Sequence, residues 1–418
     1  MRQSQSTPNP RDLPKPVTEL CAHLEARKIA SYSHGEGLLH DLRIRPLARR
    51  PSRSLLCEAT PEALLRALPR AVVSAEGGRR FTQATPEGPV DLVPCGEQDG
   101  QAMLRRFGLA PYAFAFRPRD ESWLDPFEAR TGFEAGELDL VPAEPDRPSA
   151  FEAAPRRYWI AARLIAEHDL RPTATLTAAA QAAFAEAAPR LPQGAPARRE
   201  LTRILDTPRP GLALAFLRAA GVLDFLVPGT QAKHADRIDR LPALPALRWA
   251  AWLRGGATAS AMIRFRVPHG LARRVERLQS SHPLDRAVSP TRDAGLRKLI
   301  ARVDEDERAA LFAWRRLEIA EWPDREEAAR VEARLVEIEA RIEKIRSARE
   351  RSGEVRALAL DGTAVMHLLG AGPGRHVGQA LDHLARFVAA DPTANEKAAL
   401  ETELVAWAKA NTNLLDGE

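Results

Sequence analysis

The 418-residue chain is short of the features that announce most covalent or membrane-anchored frameworks. Its three cysteines, Cys21, Cys57 and Cys95, are odd in number and far apart in the sequence. They form no CxxC pair and no disulfide framework, which points to a reducing, cytoplasmic setting. No apolar run approaches the ~20 residues of a membrane span. The opening MRQSQSTPNPRDLPKP is polar and Pro-rich and lacks the apolar core of a signal peptide, so residues 1–16 are expected to be a disordered arm. Aromatics are sparse at 6%. No internal repeat of fixed period, Walker-type loop or Gly-x-Ser-x-Gly elbow occurs, and Ser52 and Ser54 have no general base nearby in sequence. His34 and His40 flank the turn before Asp41, but an i,i+6 spacing puts them on different helical faces, and no metal site is expected there. His234 and Asp236 form a His-Asp pair without the further histidines of a phosphohydrolase.

What is present is helix-forming material and balanced charge. Hydrophobic residues make up 44%, enough for packed cores, and the length predicts two to four units. Lys+Arg 61 against Asp+Glu 56 gives a net charge of +5, compatible with a polyanionic partner or with an ordinary arginine-rich surface. Val17, Leu20, Cys21 and Leu24 recur at helical spacing. Thr60-Pro61-Glu62 starts a helix, with Thr60 as N-cap and proline in the first turn. Short strands are predicted at Leu55–Leu56, 71–75, 81–84, 90–93 and 112–116. From Phe151 onward the pattern is helical, beginning with one long helix over 151–168. Over 324–351, Val331, Leu335, Ile338, Ile342 and Ile345 make one apolar stripe on a heavily charged helix.

Two stretches carry a family resemblance over roughly residues 17–410. Residues 35–62, GEGLLHDLRIRPLARRPSRSLLCEATPE, give a Gly-containing turn, a short helix ending on Asp41, a basic loop and a strand. Residues 360–388, LDGTAVMHLLGAGPGRHVGQALDHLARFV, give a helix, a Gly-Pro-Gly turn and a second helix. With RPGLALAFLRAAGVLDFLVP at 209–228, this order resembles the tRNA nucleotidyltransferase/poly(A) polymerase family of bacterial CCA-adding type. The resemblance implies an α+β chain: a mixed-sheet head over 17–145, then a helical neck over 146–230, body over 231–355 and tail over 356–418. It also implies a cleft for nucleotide and an RNA partner, tRNA or a tRNA-like acceptor end.

The family's chemical motifs are altered where they should fall. Gly-Gly-x-Val-Arg-Asp reads Glu36-Gly37-Leu38-Leu39-His40-Asp41, and Glu36 is expected to face a polyphosphate with negative charge. Asp-x-Asp falls on Ser52-Arg53-Ser54, leaving Asp91 as one surviving carboxylate of three. A two-metal phosphoryl transfer needs carboxylates to hold the ions, and neutral hydroxyls hold Mg²⁺ poorly. The flexible-loop motif keeps Arg105 and Arg106 but has Phe107 in place of its aspartate. The nucleotide-reading motif has Ala153 and Ala154 in place of its Glu-Asp pair; Arg157, and Arg163 further along, remain. The reading is therefore a catalytically degenerate homologue that binds RNA without nucleotide transfer and without a cofactor. Catalytic remnants are Asp91 and Asp41; phosphate or nucleotide contacts are Gly37, Arg105, Arg106, Arg157 and Arg163. RNA contacts are Arg43, Arg45, Arg49 and Arg50, which with Arg53 would make the cleft positive, and Gly372, Gly374 and Arg375 at a helix N-terminus. A solvated loop and a structural turn are the plain alternatives for the last two groups. Two further readings stay open: an active transferase using Mg²⁺ with CTP or ATP and displaced acids such as Asp41, Asp91 or Glu58, and a protein-interaction scaffold.

Overall fold

The computed structural model describes residues 13–41, 52–73, 80–96, 100–142, 148–228, 235–256, 258–351, 358–370, 372 and 374–411. Arg43, Arg45, Arg49, Arg50 and His234 lie outside them, as does the side chain of Arg375. The chain divides into two compact units, one of residues 1–287 and 303–323, the other of 288–302 and 324–418. Residues expected to form the body therefore fall in both.

The first unit begins with helix α1 (Lys15–Glu25), which starts inside the segment expected to be disordered; Leu13 is already buried. Seven strands follow: β1 (Ser31–His34), β2 (Arg53–Cys57), β3 (Val72–Val73), β4 (Phe81–Gln83), β5 (Val90–Pro94), β6 (Ala115–Arg117) and β7 (Ser122–Leu124). They form one sheet in the order β3-β4-β5-β2-β1-β6-β7, with β2 and β5 parallel and the other pairs antiparallel. Tyr112 is not in a strand as expected; it closes a 3-10 turn at Ala110–Tyr112. The reason is Pro111, which has no N–H for a ladder.

Strand alternation gives the sheet two different faces. Leu55, Cys57, Val90, Leu92 and Phe81 point to one face, where they pack with Val17, Leu20, Cys21 and Leu24 of α1. Helix α2 (Gly35–Asp41) follows β1, and α3 (Pro61–Ala67) adds Leu64 and Ala67 to the same core. Thr60 caps α3 as its sequence predicts, accepting from the Ala63 amide at 3.2 Å. Leu56 packs on the opposite face with Leu104 of α4 (Gly100–Phe107). All three cysteines are buried free thiols, and Cys21 and Cys57, remote in sequence, share a core.

After α5 (Ala129–Glu134) the unit is helical apart from a second, two-stranded parallel sheet that pairs β8 (Glu137–Leu138) with β9 (Arg171–Pro172). The predicted long helix over 151–168 is two helices, α6 (Ala150–Ala153) and α7 (Arg157–His168). Pro155 disfavours the α conformation at Ala154 and ends the first, while Ser149 and Glu152 close a capping box at its start. Then come α8 (Ala174–Ala182), α9 (Phe184–Ala187), α10 (Gly194–Leu205), α11 (Gly211–Ala219) and α12 (Val222–Leu226). Helix α7 is the hub: it packs on α10 and α11, and Tyr158 and Trp159 send their polar tips to the Ala180 and Pro192 carbonyls at 2.7 and 3.0 Å. Further on, Trp249 meets Trp252 and Phe265 edge-on, and buried Arg248 donates to the carbonyls of Leu205, Thr207 and Leu241.

In the second unit the charged helix Arg325–Arg351 buries Leu335, Ile338 and Ile342 on the predicted stripe. Arg341 pairs with both oxygens of Asp293 at 2.7 Å. Helices Gly362–Leu369, Arg375–Ala390 and Lys397–Ala410 close on a core of Leu360, Val365, Ala380, Leu384, Leu400 and Leu404. No described helix is long and apolar enough to cross a membrane.

Candidate functional site

A cleft of about 850 Å³ opens between the sheet and helices α7 and α10. Its floor is built by register. Thr82, Asp91, Ser54 and His34 are successive partners across β4, β5, β2 and β1, so their side chains stand in one row on one face. Thr82 Oγ1 donates to Asp91 Oδ1 at 3.0 Å. Ser52 lies on the floor two residues before Ser54.

His34 ends the row. In the sequence it stands out only beside His40, at a spacing that does not suit a metal site. Its imidazole is buried, lies 5.1 Å from the Phe107 ring at 29°, and neither ring nitrogen has a hydrogen-bond partner among the described residues. Burial, with Arg80 nearby, pushes its pKa down to about 3, so the ring is neutral. It brings Ser54 an imidazole neighbour that is invisible in the sequence, yet no hydrogen bond joins the two.

Arg53 does not stand between the serines facing the cleft, as the sequence suggested. Alternation turns it to the other face, where it is buried and grips Asp41 through Nε at 2.8 Å and Nη2 at 3.3 Å. Asp41 is thus held in a structural ion pair, and Arg53 adds nothing to the charge of the cleft. Gly37 likewise has a packing role. A Cβ there would lie 2.8 Å from the Arg53 Cα and 2.9 Å from the Ser52 carbonyl oxygen, so only glycine lets α2 approach β2 this closely.

The wall opposite the floor is dense with charge. Glu36, in the first turn of α2, does not face open space. Its two carboxylate oxygens each lie 2.7 Å from a different terminal nitrogen of Arg163, on α7. The remaining terminal N–H groups of Arg163 go to Glu167 at 2.8 Å and the Tyr112 hydroxyl at 3.2 Å; the Tyr112 hydroxyl itself donates to Glu36. Glu200 sits 3.2 Å from Arg163 Nε, and Arg203 of α10 forks onto Glu167 at 2.7 and 3.0 Å. Burial pushes the Glu36 carboxyl up, but Arg163 and Tyr112 outweigh it and hold it at about 2. Burial raises Glu200 above the ordinary carboxylate range, and raises Tyr112 strongly, with Glu36 adding to the rise.

The rim carries exposed Arg80, Arg106 and Arg156. Arg106 lines the cleft, whereas Arg105 lies over the Phe127 ring at 5.2 Å and does not. Arg157 is half-buried and donates to the carbonyls of Ala150 and Arg106; burial and the neighbouring Arg156 pull it down to about 10. Among the described residues the cleft lining holds six arginines and five carboxylates, while Arg43, Arg45, Arg49 and Arg50, on which the expectation of a positive cleft rested, lie outside them.

Among solved structures the chain is similar to a Bacillus stearothermophilus CCA-adding enzyme in complex with CTP, with a TM-score of 0.66 and 15% identity over 96% of this chain and 100% of that one. A Thermotoga maritima CCA-adding enzyme complexed with tRNA matches at 0.58 and 15%, over 94% and 96%. A CCA-adding enzyme complexed with ATP matches at 0.60 and 15%, over 96% of each chain. The chain has the CCA-adding-enzyme fold. No family model and no curated protein matches it. The resemblance read from sequence is thereby borne out for the fold, including the α+β head followed by helices.

On the CCA-adding fold the metal-binding carboxylates implied by the resemblance fall on Ser52, Ser54 and Asp91. The donor set is two hydroxyls and one carboxylate already bonded to Thr82, and no group of three His, Cys, Asp or Glu among the described residues is arranged for a metal ion. These residues do not fit a two-metal site. Glu58, another acid considered, accepts from Tyr32 at 3.2 Å and the Gly100 amide at 2.9 Å and does not line the cleft. In the second unit Gly374 precedes the helix Arg375–Ala390. A Cβ on it would meet the His376 ring at 2.6 Å, and His376 Nε2 is 2.9 Å from the Gly372 carbonyl oxygen, so the imidazole is folded over this turn.

Proposed function

We propose that this chain is a catalytically degenerate member of the CCA-adding-enzyme fold that binds RNA, a tRNA or a tRNA-like acceptor end, without transferring nucleotides and without a metal cofactor. The observation that carries the reading is the floor row Thr82–Asp91–Ser54–His34, which sets a hydroxyl and a neutral imidazole beside a single carboxylate. Two Mg²⁺ ions between an attacking hydroxyl and a triphosphate require more negative charge than Asp91 supplies. RNA binding is supported by the exposed arginines Arg80, Arg106 and Arg156 at the rim and by the tRNA complex of a similar fold. Guanidinium groups at a rim engage phosphates and release counter-ions, so affinity should fall with salt.

The test uses tRNA lacking its 3′ end, Mg²⁺ and labelled CTP or ATP. The expected result is no incorporation, together with a salt-sensitive tRNA shift that weakens in Arg106→Glu and Arg156→Glu. Incorporation that is lost in Asp91→Ala would establish an active transferase with a rearranged site. A chain that neither incorporates nucleotide nor shifts tRNA at low salt would point to a scaffold instead.

A further inference from the structure

We infer that Glu36 is a built-in anion that occupies the guanidinium fork of Arg163, so that this part of the cleft is closed to the phosphates of a nucleoside triphosphate. The geometry of Arg163 is the argument. A guanidinium binds a phosphate or carboxylate with two parallel N–H bonds from its terminal nitrogens. In Arg163 that fork already holds both oxygens of Glu36 at 2.7 Å. Its other two terminal N–H groups are taken by Glu167 and Tyr112, and Glu200 stands beside Nε. No terminal donor of Arg163 is left for a ligand. The fork is also fixed on every side. Glu36 is on α2, Tyr112 on the 3-10 turn before β6, Arg163 and Glu167 on α7, and Glu200 and Arg203 on α10.

A polyphosphate entering the cleft would have to displace Glu36, leaving that carboxylate unpaired beside the incoming negative charge. Both effects oppose binding. The same reasoning predicts that removing Glu36 re-creates an anion site: Arg163 would present two parallel N–H groups to the cleft, with Arg203 still neutralising Glu167. The inference concerns the cleft alone. RNA held at the rim leaves it unaffected, and a failure of RNA binding would not remove it.

The experiment is calorimetric titration of inorganic triphosphate, and of CTP with Mg²⁺, into wild type, Glu36→Ala, Glu36→Gln and the double variant Glu36→Ala/Arg163→Ala. One recovered charge-assisted fork predicts at least ~10-fold tighter binding to Glu36→Ala than to wild type, a smaller gain in Glu36→Gln, and no gain in the double variant. Equal affinity in wild type and folded Glu36→Ala overturns the inference, as does a gain that persists without Arg163. Should Glu36→Ala not fold, the wild type still decides. Its Arg163 side-chain NMR signals are expected to stay fixed during a triphosphate titration, and a saturable shift of those signals sinks the idea.

Discussion

The floor and the wall of the cleft depart in opposite ways from the pattern that the sequence resemblance implies. On the floor, Ser52 and Ser54 stand where the resemblance implies carboxylates, and no other acid among the floor residues takes their place. On the wall, a carboxylate is gained at Glu36, and it is met by Arg163, Tyr112, Glu167 and Arg203 in one network. The floor loses charge and keeps an imidazole with no hydrogen-bond partner among the described residues; the wall gains charge and leaves no terminal donor of Arg163 unpaired. Buried charge persists only when compensated, whereas an exposed hydroxyl in place of a carboxylate needs no compensation. The wall therefore bears on stability and the floor on chemistry.

The largest expected effect separates the two surfaces. Arg163→Ala leaves Glu36 and Glu167 facing each other with one guanidinium fewer, and should cost about 3–5 kcal/mol in denaturant unfolding of the first unit. Ser54→Ala, on the floor, should stay within ~0.5 kcal/mol. Similar costs for both would erase the distinction. Next comes the pair on the sheet's other face: Asp41→Ala leaves the buried Arg53 only the Glu87 carboxylate at 3.5 Å and should cost about 3 kcal/mol, while Ser52→Ala beside it is neutral in the same assay.

Gly37→Ala should follow, at about 2 kcal/mol, because the contact it meets is backbone that cannot swing away. Arg53→Met would not relieve it, since the clash is with the Arg53 Cα and the Ser52 carbonyl oxygen; rescue by that change would show the crowding to be side-chain deep. The floor has its own pH signature. His34 titrates near 3 when folded and near 6.5 when unfolded, so between these values the unfolded chain binds the extra proton. Stability is full above about 6.5 and declines as pH falls, by about 2 kcal/mol at pH 5 from this group. Between pH 7.5 and 5 the wild type should lose about 2 kcal/mol relative to His34→Phe, which has no group to titrate there, and parallel melting temperatures would mean that the imidazole is protonated or solvated in the fold.

Much of the fold was legible because it rests on local rules. Thr60-Pro61 capped its helix, Val17, Leu20, Cys21 and Leu24 turned inward together, and Leu335, Ile338 and Ile342 lined one stripe. Where prolines act, the local reading was coarser: Pro155 split a predicted single helix, and Pro111 kept Tyr112 out of a strand. The candidate site was half legible. Ser52, Ser54, Asp91, Arg106, Arg157 and Arg163 do line one cleft. Which way their neighbours point was not, because a strand reverses its face at every residue. Arg53 was grouped with a cleft it turns away from, and His34 was passed over though it stands in the floor row.

By itself the sequence determined that mixed strands and helices are followed by helices alone, which follows from periodicity and capping, and these are local. That hydroxyls stand at Ser52 and Ser54 is plain in the sequence too, while the expectation of acids there is what the resemblance implies. Only the tertiary structure decided that Glu36 is spent on Arg163, Asp41 on Arg53, and that the described lining of the cleft carries nearly as many carboxylates as arginines. Ion pairs between residues 12 and 127 positions apart depend on how strands register and helices pack, and no local pattern carries that information. The turn and helix at residues 35–41 thus read in sequence as a place for phosphate, and in space as a place already filled.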